Sequence, residues 1–137
     1  MLDVKICIVG AGRWGRNHIK TLCSLGAKPG IIEKNKLKKQ NINKLFPNLV
    51  CFDSIDDAFQ QNFDGYIIAT PPATHFDIAK KILLNEKPVL VEKPLVLSVK
   101  DGEKLLSIVD KTHGKLIVGH LLLFHPAIMK MKELIDS

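Results

Sequence analysis

Six short apolar runs, separated by segments with helical spacing, fill the chain almost from end to end. The first, Val4-Lys5-Ile6-Cys7-Ile8-Val9, is rich in β-branched residues and stops at Gly10, as a buried strand does. Further strands are predicted over 30–33, 49–52, 65–70, 88–92 and 115–119. Between them, a helix over 14–25 stops at Gly26, one over 36–45 is ended by Pro47, and one over 55–61 follows a cap at Ser54. Phe76, Ala79, Ile82 and Leu83 form one apolar helical stripe. Ser98 followed by Asp101 resembles a capping box, with Leu105, Ile108 and Val109 lining the helix behind it. Such alternation implies parallel strands joined by crossover helices, and those crossovers are right-handed almost without exception. The expected fold class is therefore α/β: a doubly wound, mostly parallel sheet with helices on both faces. A last helix opens at His125-Pro126 and runs to Ile135, with Ile128, Met131, Leu134 and Ile135 as its apolar stripe.

Composition narrows the classes. The 137 residues suit one domain of ordinary size, and 46% hydrophobic with 25% charged residues excludes a disordered or fibrous chain. No apolar run approaches the ~18–20 residues that span a bilayer, and the first residues do not form a signal peptide, so no membrane partner is expected. Cys7, Cys23 and Cys51 are odd in number and widely spaced, which is neither a disulfide framework nor a metal pattern. Reduced thiols in a cytoplasmic protein are the expectation. Lys34, Lys36, Lys38, Lys39 and Lys44 contribute to a net charge of +6. They read first as a solvated helix face and second as a phosphate contact. No nucleic-acid reading module accompanies them.

The first turn carries chemistry. Gly10-Ala11-Gly12-Arg13-Trp14-Gly15 matches G-x-G-x-x-G, between a predicted strand and a predicted helix. Gly10 permits the tight turn, Gly12 lets backbone approach a diphosphate, and Gly15 lets helix and strand pack closely. The diphosphate then meets free amides at the positive end of the helix, beside Arg13 and Trp14. Glu33 ends the second strand, 21 positions after Gly12. A carboxylate there accepts from ribose hydroxyls and repels a 2′-phosphate, which favours NAD. Lys34 and Lys36 beside it keep NADP open.

Two further motifs complete a pattern. Ala69-Thr70-Pro71-Pro72-Ala73-Thr74-His75 follows the fourth strand, and Glu92-Lys93-Pro94 follows the fifth. With the glycine turn, in this order, the chain resembles the glucose-fructose oxidoreductase/inositol dehydrogenase family. The resemblance implies a Rossmann domain over residues 1–120. It implies that Thr70, Pro71, Pro72 and His75 lie against the cofactor near the nicotinamide ribose, the two prolines making a rigid wall. It implies that Lys93 touches both cofactor and substrate, hydrogen-bonding the substrate hydroxyl or carbonyl. A lysine partly desolvated beside a cationic ring has a lowered pKa and can trade a proton near neutral pH. The alternative for Lys93 is a surface ion pair. Glu92 is expected to orient the lysine and the ring, and Pro94 to follow a cis bond.

Val118-Gly119-His120 and Phe124-His125-Pro126-Ala127 resemble the domain junction of members acting on nucleotide-linked amino sugars. His120 is a candidate for facing substrate, with a structural role as the alternative. Residues 121–137 read as the junction and first helix of a substrate domain, which in the family is a large open sheet that also makes the oligomer. That sheet has no counterpart in this sequence. The expected partners are a sugar-like small molecule and either a second copy of the chain or a completing C-terminal domain. The favoured reading is an oxidoreductase acting on a secondary alcohol of a sugar, nucleotide sugar or cyclitol. The alternative is a non-catalytic dinucleotide-binding module or truncated remnant.

Overall fold

The structure, a computed structural model, describes residues 3–137. Six parallel strands, β1 (Lys5–Val9), β2 (Lys28–Ile32), β3 (Val50–Phe52), β4 (Gly65–Ile68), β5 (Val89–Val91) and β6 (Leu116–Val118), form one sheet in the order 3-2-1-4-5-6. The helices are α1 (Arg13–Ser24), α2 (Lys36–Leu45), α3 (Ile55–Phe59), α4 (His75–Leu84), α5 (Val99–Thr112) and α6 (Pro126–Asp136). The strand order reverses between β1 and β4, and in open α/β sheets ligands bind outside the carboxyl ends of the strands at that switch point. The expected doubly wound fold is the observed one.

Strand periodicity divides the core. Cys7 and Val9 point to one face, where Ile68, Val89 and Val91 meet Ala79, Ile82 and Leu83 of α4 and Leu105 of α5. Ile8, one residue out of phase, points to the other face with Ile31, against Ile19 of α1 and Ile42 of α2. Both faces are covered, so the strands are apolar throughout rather than alternating. Burial pushes the Cys7 thiol up to about 12, so it stays a neutral member of the core.

Two departures from expectation have local causes. The second strand starts at Lys28, before Pro29, although proline breaks ladders. The Lys28 amide donates to Val4 on the β1 side, and the Glu33 amide to Phe52 on the β3 side. By this alternation Pro29, the residue without an amide, faces β3, and β3 begins only opposite Gly30. The second departure is a short 3₁₀ turn, Pro72–Thr74, ahead of α4. At the end of α1, by contrast, Gly26 takes the expected left-handed conformation (φ 76°), and Ala27 donates back to the Leu22 carbonyl at 3.0 Å.

After β6 the sheet ends. A second 3₁₀ turn, Leu121–Phe124, leads into α6, and every residue from His120 onward is exposed. Among the described residues no helix is long and apolar enough to cross a membrane, and no cluster of His, Cys, Asp and Glu could hold a metal ion.

Candidate cofactor site and lysine turn

The three glycines of the first turn are required for different reasons. Gly10 has φ 101°, a conformation L-residues rarely adopt, and donates its amide to the Ile32 carbonyl at 2.9 Å, joining β1 to β2. A Cβ on Gly15 would overlap the Gly10 carbonyl oxygen, so only glycine lets α1 descend onto the end of β1. Gly12 is different. Its φ of −67° suits any residue, and the nearest atom to a Cβ there would be the Ala69 carbonyl oxygen at 3.9 Å, an ordinary contact. The fold does not need glycine at position 12.

That open space lies over an uncapped helix. α1 begins with no side-chain cap and no acidic residue in its first turn. Its first bond runs from the Arg16 amide to the Gly12 carbonyl at 3.0 Å, so the amides before Arg16 have no intrahelical partner. The positive end of a helix with free donors and room for a ligand's atoms is an anion site.

A cavity of about 440 Å³ at the carboxyl edge of the sheet joins these parts. Gly10, Gly12, Arg13, Trp14, Glu33, Thr70 and Pro71 line it, together with Lys34 and Lys38. Lys36, the other lysine weighed for a phosphate contact, does not. Glu33 is held at both oxygens: Oε2 accepts from the Ala11 amide and Oε1 from the Asn35 amide, each at 2.9 Å. The carboxylate is thus fixed between the glycine turn and the start of α2. A larger groove of about 630 Å³ lies at the opposite edge, but Cys23, Leu45, Phe46 and Gln61 in its wall bring the carboxyl ends of α1, α2 and α3. Those are the negative ends of helices, the wrong polarity for a diphosphate.

The turn after β4 is internally tied. Thr74 Oγ1 donates within reach of both Thr70 Oγ1 (2.7 Å) and the Pro71 carbonyl (2.8 Å). Pro72 starts the 3₁₀ turn and does not line the cavity. His75, expected among the cofactor contacts, is instead buried, with 1% of its surface exposed. Its Nδ1 meets the Pro94 carbonyl at 2.8 Å and its Nε2 the Thr70 carbonyl at 2.9 Å, so both polar atoms are already engaged by backbone.

The Lys93 turn also corrects one expectation. Glu92 does not reach Lys93; its buried carboxylate takes a 2.7 Å hydrogen bond from Nε2 of His18 on α1. Lys93 itself is exposed. It does not form a surface ion pair with any described residue. The Lys93-Pro94 bond is cis. His120 follows β6, which neighbours β5 with Val91 opposite Val118, so Lys93 and His120 leave adjacent strands at the same edge. Sequence reasoning missed His18. The signal was its place three residues after Gly15, on the helix face that Gly15 turns toward the sheet.

Residues 4–120 match the model of the oxidoreductase family with an NAD-binding Rossmann fold. The chain belongs to that family. One relative in it is UDP-N-acetylglucosamine 3-dehydrogenase of Acidithiobacillus ferrooxidans, 27% identical over 135 residues, covering 97% of this chain and 42% of the relative. Another is inositol 2-dehydrogenase of Rhodococcus erythropolis, 31% identical over 143 residues, covering 98% of this chain and 40% of the relative. Among solved structures, the WlbA dehydrogenase of Bordetella pertussis in complex with NADH and UDP-GlcNAcA matches with a TM-score of 0.90 at 25% identity, over 98% of this chain and 42% of that one. The chain therefore spans about 42% of the length of such relatives. NAD is the family's cofactor, and the open space at Gly12, the uncapped α1 and the fixed Glu33 carboxylate fit it.

These glycine geometries predict different outcomes. Gly12→Val should lower the melting temperature far less than Gly15→Ala, through the poorer helix cap alone, and weaken NADH binding at least about tenfold, roughly 1.4 kcal/mol. Gly15→Ala should lower the melting temperature outright. Calorimetric titration and thermal melts of both variants check the pair, and unchanged NADH affinity in Gly12→Val would disprove the cradle.

Proposed function

We propose that this chain is the cofactor-binding part of a dehydrogenase that oxidises or forms a secondary alcohol on a sugar, nucleotide sugar or cyclitol. The observation that carries this reading is a glycine the fold does not need, Gly12, over an uncapped helix, at the same sheet edge as a free lysine, Lys93. The relatives named above, a UDP-N-acetylglucosamine dehydrogenase and an inositol dehydrogenase, suggest the substrate class.

Bound NAD supplies the hydride acceptor or, reduced, the hydride donor. The residues of the chain hold and exclude. The amides at the start of α1 take the diphosphate, with Arg13 and Trp14 at its side, and Glu33 takes the adenosine ribose. Thr70 and Pro71 form a stiff wall across the cavity. Lys93 Nζ exchanges a proton with the substrate oxygen. Its exposure means that the cofactor and further polypeptide must together bury it. His120, on the neighbouring strand end, is proposed to face the same substrate.

Residues 1–120 are proposed as the cofactor domain and 121–137 as the junction to a substrate-binding part. Leu121, Leu122, Leu123, Phe124, Leu134 and Ile135 are all more than half exposed. So much apolar surface on one short segment seeks cover. We assign the cover to a second copy or to a following domain. Light scattering at rising concentration should show association of the chain alone. The three free cysteines fit a reducing, cytoplasmic setting.

NADP remains a finer question within this reading. Lys34 and Lys38 flank the fixed carboxylate, and either is placed to meet a 2′-phosphate once the opposing charge is removed. Glu33→Ser should raise the NADP-to-NAD affinity ratio about tenfold, equivalent to about 1.4 kcal/mol. An unchanged ratio in paired titrations would remove Glu33 from the selectivity role.

A second reading, a dinucleotide-binding module without catalysis, is favoured by one observation, the exposure of Lys93. Lys93→Met separates the two. With the chain joined to a substrate domain, the dehydrogenase reading expects turnover to fall ~10²–10⁴-fold, the usual worth of positioned acid–base catalysis, while NADH affinity holds. Loss of NADH binding with turnover retained would make Lys93 a cofactor clamp. No change in either would support the non-catalytic module.

A further inference from the structure

Lys93 lies between two residues that are each held by a histidine. Before it, the Glu92 carboxylate is fixed by His18 at 2.7 Å. After it, the Pro94 carbonyl is met by His75 Nδ1 at 2.8 Å, while Nε2 of the same ring meets the Thr70 carbonyl at 2.9 Å. Thr70 lines the cavity; Pro94 directly follows Lys93. A single buried imidazole therefore spans from the turn that borders the cofactor cavity to the turn that carries the lysine.

We propose that His75 is a positioning residue that locks these two turns together, so that Lys93 keeps a fixed place relative to whatever fills the cavity. A packing role alone does not account for the contacts. An apolar ring would fill the same volume, whereas here both ring nitrogens are aimed at backbone oxygens on different turns. Carbonyl oxygens only accept. A ring with one proton donates to one of them and sets a lone pair against the other; a ring with two protons donates to both. Whichever nitrogen donates, the ring sits within hydrogen-bond distance of both turns. The Glu92 side of the turn is anchored separately, which leaves the Pro94 side to His75. The inference rests on the NAD reading only for the identity of the cavity's occupant.

Two measurements on the ¹⁵N-labelled chain test it. The ring spectrum of His75 should show a ring N–H protected from solvent exchange by its carbonyl partner; a ring with no protected N–H would overturn the bridge. The second is titration with ADP-ribose, which lacks the nicotinamide ring and so cannot touch Lys93 through it. In wild type the Gly12 and Thr70 amides should shift on binding, and the Lys93 and Leu95 amides should follow. In His75→Phe the Gly12 response should persist and the Lys93 and Leu95 response should fall at least severalfold, with His75→Gln, a single donor, between the two. An undiminished Lys93 response in His75→Phe refutes the lock. Should that variant fail to fold, the wild-type ring spectrum and the Gln variant decide. If Gly12 does not shift in wild type, the cofactor reading fails, and the ring spectrum still judges the bridge by itself.

Discussion

The contact of Gly15 with the Gly10 carbonyl sets the geometry from which the site follows. A helix and a strand normally keep a side chain's width between their backbones. Here α1 comes down onto Gly10, the residue that follows β1, with nothing between. The start of α1 is thereby brought to the carboxyl edge of β1, at the place where the strand order reverses. Free amides of a helix start can serve a ligand only if they are exposed at an edge that also offers walls. The left-handed turn at Gly10 and the descent at Gly15 put them there, with the Thr70 turn on one side and Glu33 on the other. A Cβ at Gly15 would push the helix away, and one at Gly10 would crowd the Ala69 carbonyl and the Thr70 side chain across the turn.

The remaining polar groups of this edge are arranged by the cost of burying them. A buried polar group left without a partner costs about 1–3 kcal/mol. Glu92 and His75 both lie in the interior behind the edge, and each has a defined partner: His18 for one, two carbonyls for the other. Neither is left free to bind a ligand. Their hydrogen bonds instead connect α1, the turn after β4 and the turn after β5, the three segments that surround the proposed cofactor and lysine. Among the described residues, the unpartnered groups at the surface of this edge include the α1 amides before Arg16 and the Lys93 ammonium, and these have chemistry still to offer.

How much of this was legible in the sequence depended on whether the cause was local. Val4–Val9 and the other runs declared their strands because a parallel sheet buried on two faces demands apolar residues throughout, and the glycine spacing declared the turn. The entry of Pro29 into β2 was not legible, since it depends on where β3 begins, a matter of register between distant segments. His75 was read from its motif as a cofactor contact because a sequence shows that a histidine follows a turn, not which way its ring faces. Its partners are 5 and 19 residues away, on opposite sides of a strand crossing. Lys93 was expected to be partly buried, because the motif implies a bound cofactor and a covering domain; the exposure belongs to the chain without them. His18 carried a helical-face signal, but its partner is 74 residues distant, beyond any local pattern.

Gly12 and Gly15 show how one motif can hold two kinds of evidence. Glycine at 15 is explained fully by the chain's own atoms, so its presence says nothing about a ligand. Glycine at 12 has ordinary dihedrals and open space; as the N-cap of α1 it is acceptable to the fold but not demanded by it. A glycine that the fold accepts without requiring it leaves open space at the helix start for atoms from outside the chain. The space it leaves opens onto the free amides of the helix start, which suits a negatively charged linkage passing close to backbone. The same argument applied to Lys93 runs the other way. An ammonium needs no explanation when exposed, so its functional standing derives from its neighbours: two separate side-chain anchors on the residues flanking it are more constraint than a solvated surface lysine requires.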